Sequence, residues 1–137
     1  MTFTRAPAFD RRVTIIDVGR LAGVPQWVYL FRRTVRAGRI SQVWWTDTQR
    51  CPAARSVLAE TINLPTPKID VPGLKSDDIV IEGDGVNYTF SGPAHYANGM
   101  MTEIHFSTNL GTPLARWVDE SLRTLEPCWT KEVPAKG

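Results

Sequence analysis

The sequence predicts an α+β fold, in which an antiparallel sheet of five to six strands, in the order β-β-β-α-β-β-β-α, carries two helices packed on one face. Stretches rich in β-branched and aromatic residues alternate with glycine-containing turns, which is typical of antiparallel strands. Two other stretches begin with proline and continue with apolar residues every three to four positions, which predicts helices. A chain of 137 residues, 42% hydrophobic, suits one domain with a substantial core.

The first elements follow in chain order. Residues 1–12 are expected to form a poorly ordered leader, residues 13–130 the single domain, and residues 131–137 a C-terminal tail. Val13–Val18 is β-branched and alternates weakly, which predicts the first strand. The aromatic run Trp27–Asp47 then predicts a β-hairpin, the clearest strand signal in the chain.

The bend of this hairpin falls at Ala37-Gly38. Alanine is poor at positive φ, so we expect a type I turn closed by Gly38 in the left-handed region rather than a two-residue primed turn. The four arginines around the bend are expected to lie at its exposed tip, namely Arg32, Arg33, Arg36 and Arg39.

The middle of the chain predicts a helix, a strap and a second hairpin. The helix begins at Cys51-Pro52, ends by Asn63 to Pro65, and buries one face made of Ala54, Val57, Leu58, Thr61 and Ile62. Residues 64–73 are punctuated by proline and predict an extended strap. Residues 78–83 and 86–92 predict the hairpin, residues 91–99 a loop, and residues 100–108 a further strand.

The second helix has the strongest boundary signals. Thr112 is the expected N-cap, Pro113 occupies the first helical position and Pro127 ends the helix. The predicted buried stripe consists of Leu114, Trp117, Val118, Leu122 and Leu125.

The run Thr14–Val24, TIIDVGRLAGV, resembles the opening of the helix-turn-helix in the lac repressor family, whose pattern is close to T-I-x-D-V-A-x-x-A-G-V-S. The resemblance implies DNA binding, with a recognition helix directly after it. The following run Pro25–Phe31 is instead β-prone and too apolar for a helix in a major groove. Gly19 also stands where a helix former is favoured. We therefore expect a strand and a loop here.

The two cysteines allow three interpretations. Cys51 precedes the first predicted helix and Cys128 follows the second. If the helices are antiparallel neighbours, these positions meet and a Cys51–Cys128 disulfide forms, which would suit an exported protein. The alternatives are two inert buried thiols, or a reactive Cys51 whose thiolate is favoured by the helix N-terminus and by Arg50 and Arg55.

The charge is unevenly distributed along the chain. Residues 1–55 carry ten arginines against three aspartates, net +7, whereas residues 56–137 carry six basic and eleven acidic side chains, net −5. This uneven charge either indicates an anionic partner for the basic half or means that the opposite charges of the two halves neutralise each other in the fold. Adjacent Trp44 and Trp45 must face opposite ways on a strand, so one could line a groove beside the basic tip and bind an anion, a peptide or single-stranded nucleic acid.

Glu103 and His105 lie two positions apart on a predicted strand, so their side chains point the same way. They could form an acid–base or metal-ligand pair, although two ligands are too few for a zinc site. No cofactor and no metal is expected, because the sequence contains no phosphate loop, H-E-x-x-H or G-x-S-x-G motif.

These observations favour a non-enzymatic binding domain for a protein, a peptide or a small anionic ligand. The alternatives are nucleic-acid or polyanion binding through the basic first half, and a small enzyme that uses Cys51 or the pair Glu103 and His105. The sequence has no apolar run long enough to span a membrane. The first residues also lack a signal-peptide core, which favours the cytoplasm if this start is native, and the periplasm or secretion if an export signal was trimmed.

Overall fold

The computed structural model describes residues 1–22, 26–67 and 85–134. Within these ranges the chain forms a six-stranded antiparallel sheet and two helices, so the predicted α+β class is confirmed. The elements are β1 Thr2–Pro7, β2 Arg12–Arg20, β3 Tyr29–Ala37, β4 Ile40–Asp47, α1 Ala53–Thr61, β5 Val86–His95, β6 Met101–Thr108, α2 Pro113–Leu125 and a short 3-10 helix Glu126–Cys128.

The sheet has the strand order β4-β3-β2-β1-β5-β6. The expected leader is therefore wrong, because residues 2–7 form a central strand that pairs with β2 on one side and β5 on the other. Phe3 is fully buried and lies beside Ile16 and Phe90 in the register. The local sequence TFTRAP gives only a weak strand signal, but hydrogen bonds and packing from two neighbours stabilise it.

The Trp27–Asp47 hairpin is confirmed as β3 and β4, but its turn differs from the expected one. Ala37 pairs with Ile40, which leaves a two-residue loop of Gly38 and Arg39. Gly38 has φ of +60°, and no non-glycine residue among those described has positive φ. Positive φ at the first loop position alone is the signature of a type II′ turn, and glycine is the residue that tolerates it.

The second half of the sheet also extends further than predicted. β5 continues through Gly92 and Pro93 to His95, where the sequence predicted a loop from Ser91. Pro93 lies beyond the end of β1, where β5 is paired with β6 alone, and strands tolerate proline at such positions. The strand predicted at residues 78–83 and most of the strap lie outside the described residues.

Both helices pack on one face of the sheet, as predicted. The Thr112 hydroxyl accepts a hydrogen bond from the Ala115 amide at 3.2 Å, which caps α2. The Trp117 ring contacts Phe3 and Phe90 in edge-on geometry, with centroids 4.8 and 5.9 Å apart. The buried side of α2 comprises Leu114, Ala115, Trp117, Val118, Ser121 and Leu125.

The buried face of α1 contains fewer residues than expected. Ala54 and Val57 are buried, but Ile62 lies just past the helix end and is 85% exposed, so its placement on the buried face was wrong. No helix among the described residues is both long enough and apolar enough to cross a membrane.

The helix-turn-helix resemblance does not extend to the fold. Its first half, Thr14–Arg20, lies in β2 and pairs residue by residue with β3. The segment that would be the recognition helix ends in β3, because Tyr29 to Phe31 belong to that strand. The β-branched and aromatic residues of this run pack on the sheet, as the strand interpretation predicts.

The disulfide prediction is confirmed. Cys51 and Cys128 are bonded, with an S–S distance of 2.07 Å and their Cα atoms 5.7 Å apart. The turn into α1 positions Cys51: the buried Asp47 carboxylate accepts hydrogen bonds from the amides of Gln49 and Arg50 at 2.7 and 2.8 Å. The staple therefore ties the start of α1 to the 3-10 helix that follows α2.

Candidate functional site

The predicted arginine cluster is divided by the sheet. Neighbouring residues of a strand point to opposite faces, so Arg33 lies on the helix-bearing face and Arg32 on the other. Arg32 donates to Asp17 at 2.8 Å, and Arg33 donates to Glu126 at 2.7 Å. The Arg33 side chain is only 21% exposed. The expectation that both lie at the exposed tip was wrong, because both sit mid-strand with carboxylate partners.

The two adjacent tryptophans lie on opposite faces, as alternation requires. The Trp44 ring has the Arg33 guanidinium 5.5 Å and the Lys131 ammonium 4.6 Å from its centroid. Trp45 exchanges two backbone hydrogen bonds with Thr130, of 2.8 and 3.0 Å. The hydrogen bonds of Thr130 and the contact of Lys131 with the Trp44 ring hold the chain after Cys128 against β4. Cations of the same chain therefore already lie against the Trp44 ring.

The register brings two turns together at one end of the sheet. Arg12 pairs with Ala37, and Ala37 pairs with Ile40, so the β1–β2 turn and the β3–β4 turn start at the same level. Neighbouring strands lie about 4.8 Å apart, so the row from β1 to β4 is about 14 Å wide. We call the residues of these turns, Phe9 to Arg12 together with Arg36 to Ile40, the basic end.

The basic end carries arginines that the fold leaves unneutralised. Among the described residues, Arg11, Arg36 and Arg39 are exposed and have no ion-pair or aromatic partner, whereas Arg12 pairs with Asp10 at 3.1 Å. Elsewhere most arginines have carboxylate partners, namely Arg5, Arg32, Arg33, Arg50 and Arg123. Four arginines and one aspartate give the two turns a net charge of +3.

Asp10 remains ionised within this positive surface. The hydrogen bond from the Arg12 amide to its carboxylate, reinforced by the Arg12 guanidinium, lowers the pKa of Asp10 below its ordinary value. Asp10 therefore subtracts one charge from the basic end at neutral pH.

Two large apolar side chains are exposed at the same end. Phe9 is 84% exposed in the β1–β2 turn, and Ile40 is 66% exposed at the first position of β4. Phe9, Arg11 and Arg12 were not predicted as site residues, because residues 1–12 were expected to form a poorly ordered leader. The Asp10-Arg11-Arg12 run after a short strand was the available turn signal.

A second surface is an apolar groove of about 430 Å³ between the end of α1 and the last two strands. Its walls include Ile62, Leu64, Phe90, Ile104 and Phe106. It shares Phe106 with a neighbouring cleft of about 270 Å³ that reaches the start of α2. Among the described residues, the lining of these two cavities contains no Asp, Glu, Lys or Arg side chain, although Met1 and His95 also contribute to the groove.

Of the predicted catalytic residues, Cys51 is buried, whereas Glu103 and His105 are exposed. Cys51 is buried and bonded to Cys128, so the reactive-thiol and the free-thiol interpretations are both wrong. Glu103 and His105 are exposed on β6, on the face opposite the helices. In the part of the chain that the structure describes, no group of three His, Cys, Asp or Glu side chains is arranged to hold a metal ion. An acid–base role for Glu103 and His105 stays a prediction.

Comparison with known proteins adds no functional information: no protein-family model matches the chain, and neither the curated proteins nor the solved structures contain a match. The basic end is the candidate site because its two turns adjoin and carry exposed arginines without carboxylate partners among the described residues.

Proposed function

We propose that this protein is a non-enzymatic, disulfide-stapled binding domain that takes an anionic ligand at its basic end. The observation that carries the proposal is the side-by-side placement of two turns whose arginines Arg11, Arg36 and Arg39 lack carboxylate partners among the described residues. A row of unneutralised guanidinium groups creates a local positive potential that attracts anions and speeds their association.

The arginine chemistry supports an oxyanion ligand. A guanidinium group presents a planar fork of donors that matches phosphate, sulfate or carboxylate oxygens. The turns are anchored to a paired sheet, so the backbone segments that carry these arginines are held within about 14 Å of one another across the strands. An extended polyanion can contact that width with several of its charges.

The first test is titration with two soluble polyanions, heparin and a single-stranded oligothymidylate, at several salt concentrations. We expect binding that weakens steeply with salt, because each neutralised phosphate of a single strand adds about 0.7 to the salt slope. Replacing Arg11, Arg36 and Arg39 with glutamine should make the slope shallower by about 2 on that basis.

A matched control removes the same charge elsewhere. The variant Arg55→Gln, Arg116→Gln and Arg123→Gln changes three exposed arginines of the helix layer. It should retain binding within about twofold, because these groups lie on the helices and not on the two turns of the basic end. Equal losses in both variants would refute a localised site. If the protein binds neither heparin nor the oligothymidylate at low salt, soluble polyanions are excluded as its ligands.

A further inference from the structure

The exposed apolar side chains of the basic end indicate a ligand that has an apolar part as well as negative charge. Phe9 and Ile40 are 84% and 66% exposed, and both lie among the exposed arginines Arg11, Arg36 and Arg39. A purely electrostatic partner gives no favourable contact to a branched aliphatic side chain. A surface with charged headgroups above an apolar interior contacts both kinds of side chain at once.

We infer that the basic end docks on an anionic lipid bilayer, with Phe9 and Ile40 inserted between the headgroups. This inference rests on the proposed function and identifies its partner. The charge complementarity is direct, because the basic end carries four arginines and one aspartate and an anionic bilayer surface carries phosphates and carboxylates.

The topology suits shallow insertion. Both apolar residues lie at the same end of the sheet, Phe9 in the β1–β2 turn and Ile40 at the first position of β4, and both side chains are largely exposed. Phe9 lies in the β1–β2 turn and Ile40 follows Gly38-Arg39. The two residues are therefore separated by about three strand spacings across the end of the sheet. Side chains of this size reach the boundary between headgroups and acyl chains while arginines stay at the phosphate level.

The test is co-sedimentation of the whole protein with vesicles of phosphatidylcholine alone or mixed with phosphatidylserine. We expect binding to the mixed vesicles only. The variant Phe9→Ser and Ile40→Ser should reduce the partition coefficient by roughly tenfold or more, since burial of such side chains contributes on that scale. It should leave heparin binding within about twofold, because no arginine is removed.

The matched control replaces two equally exposed apolar side chains outside the basic end. Ile62 and Tyr96 are 85% and 62% exposed, and the variant Ile62→Ser and Tyr96→Ser should bind vesicles as the natural protein does. Thermal unfolding of both variants checks that their fold is retained, which is expected because all four side chains are largely solvent-exposed.

The outcomes separate the inference from the proposed function. Heparin binding without vesicle binding would overturn the bilayer inference and leave the proposed function standing. Vesicle binding that is insensitive to Phe9→Ser and Ile40→Ser would also overturn it, since electrostatic adsorption would then suffice. Equal binding to neutral vesicles would overturn the role of charge. Failure to bind heparin, oligothymidylate and vesicles would refute both.

Discussion

Replacing Cys51 and Cys128 together with alanine should lower the free energy of unfolding by about 4.5 kcal/mol. The bridge joins residues 77 positions apart, and the chain-entropy model gives that value for a closed loop of this length. At roughly 2.1 cal/mol/K of unfolding entropy per residue, a 137-residue chain would lose about 15 °C in Tm. The fold itself should persist, because most of the buried core consists of other residues of the sheet and the helices, such as Phe3, Tyr88 and Trp117.

The measurement is urea unfolding followed by tryptophan fluorescence, which the five tryptophans of the chain make sensitive. The natural protein is compared with and without reductant, and the alanine variant likewise. Reductant should shift the transition of the natural protein toward that of the variant and leave the variant unchanged.

Two results would contradict this reasoning. A loss below about 1 kcal/mol would show that the bond does not constrain the unfolded chain as the entropy model requires. An intact mass unaffected by reduction would show that Cys51 and Cys128 are not bonded in the protein as isolated, and would return the free-thiol interpretations.

Three further predictions follow from buried or charged groups. Asp47→Ala should destabilise the fold by about 1–2 kcal/mol in urea unfolding, because two amides of the turn that precedes α1 lose their acceptor; a change near zero would contradict that role. The Tyr88 hydroxyl donates to Asp119 at 2.8 Å, and burial followed by that hydrogen bond raises the pKa of Tyr88. Its contribution to stability is then complete below the ordinary value of 10.0 and is lost as pH rises through the raised pKa, so Tyr88→Phe should flatten the decline in the free energy of unfolding above pH 10.0. Asp10→Asn should tighten heparin binding by adding one net positive charge to the basic end, and unchanged affinity would show that Asp10 lies outside the binding surface.

The elements with strong local signals were predictable from the sequence. The aromatic, β-branched arms of β3 and β4 favour extended chain wherever they are placed. The Thr112 and Pro113 pair marks the start of α2 through groups within one turn of each other. The Cys51–Cys128 bond was predicted as one of three alternatives, because its formation depends on how the two helices are placed on the sheet.

The elements that depend on distant partners were not predictable. β1 is short and ends in Ala6-Pro7, which weakens its local strand signal, and pairing with β2 and β5 on both sides stabilises it. The separation of Arg32 from Arg33 follows from alternation once the strand is known, but their partners Asp17 and Glu126 are set by register and by the position of the 3-10 helix.

Local residue patterns were sufficient to predict the hairpin, both helices and the position of Arg36 and Arg39 at a bend, because short-range propensities and turn chemistry act within a few residues. The central strand at residues 2–7, and the position of the Phe9 and Arg11 turn beside that bend, came from the three-dimensional fold. Strand pairing joins segments that are far apart in sequence. The composition of a surface built from two such segments is therefore fixed by register and not by either segment alone.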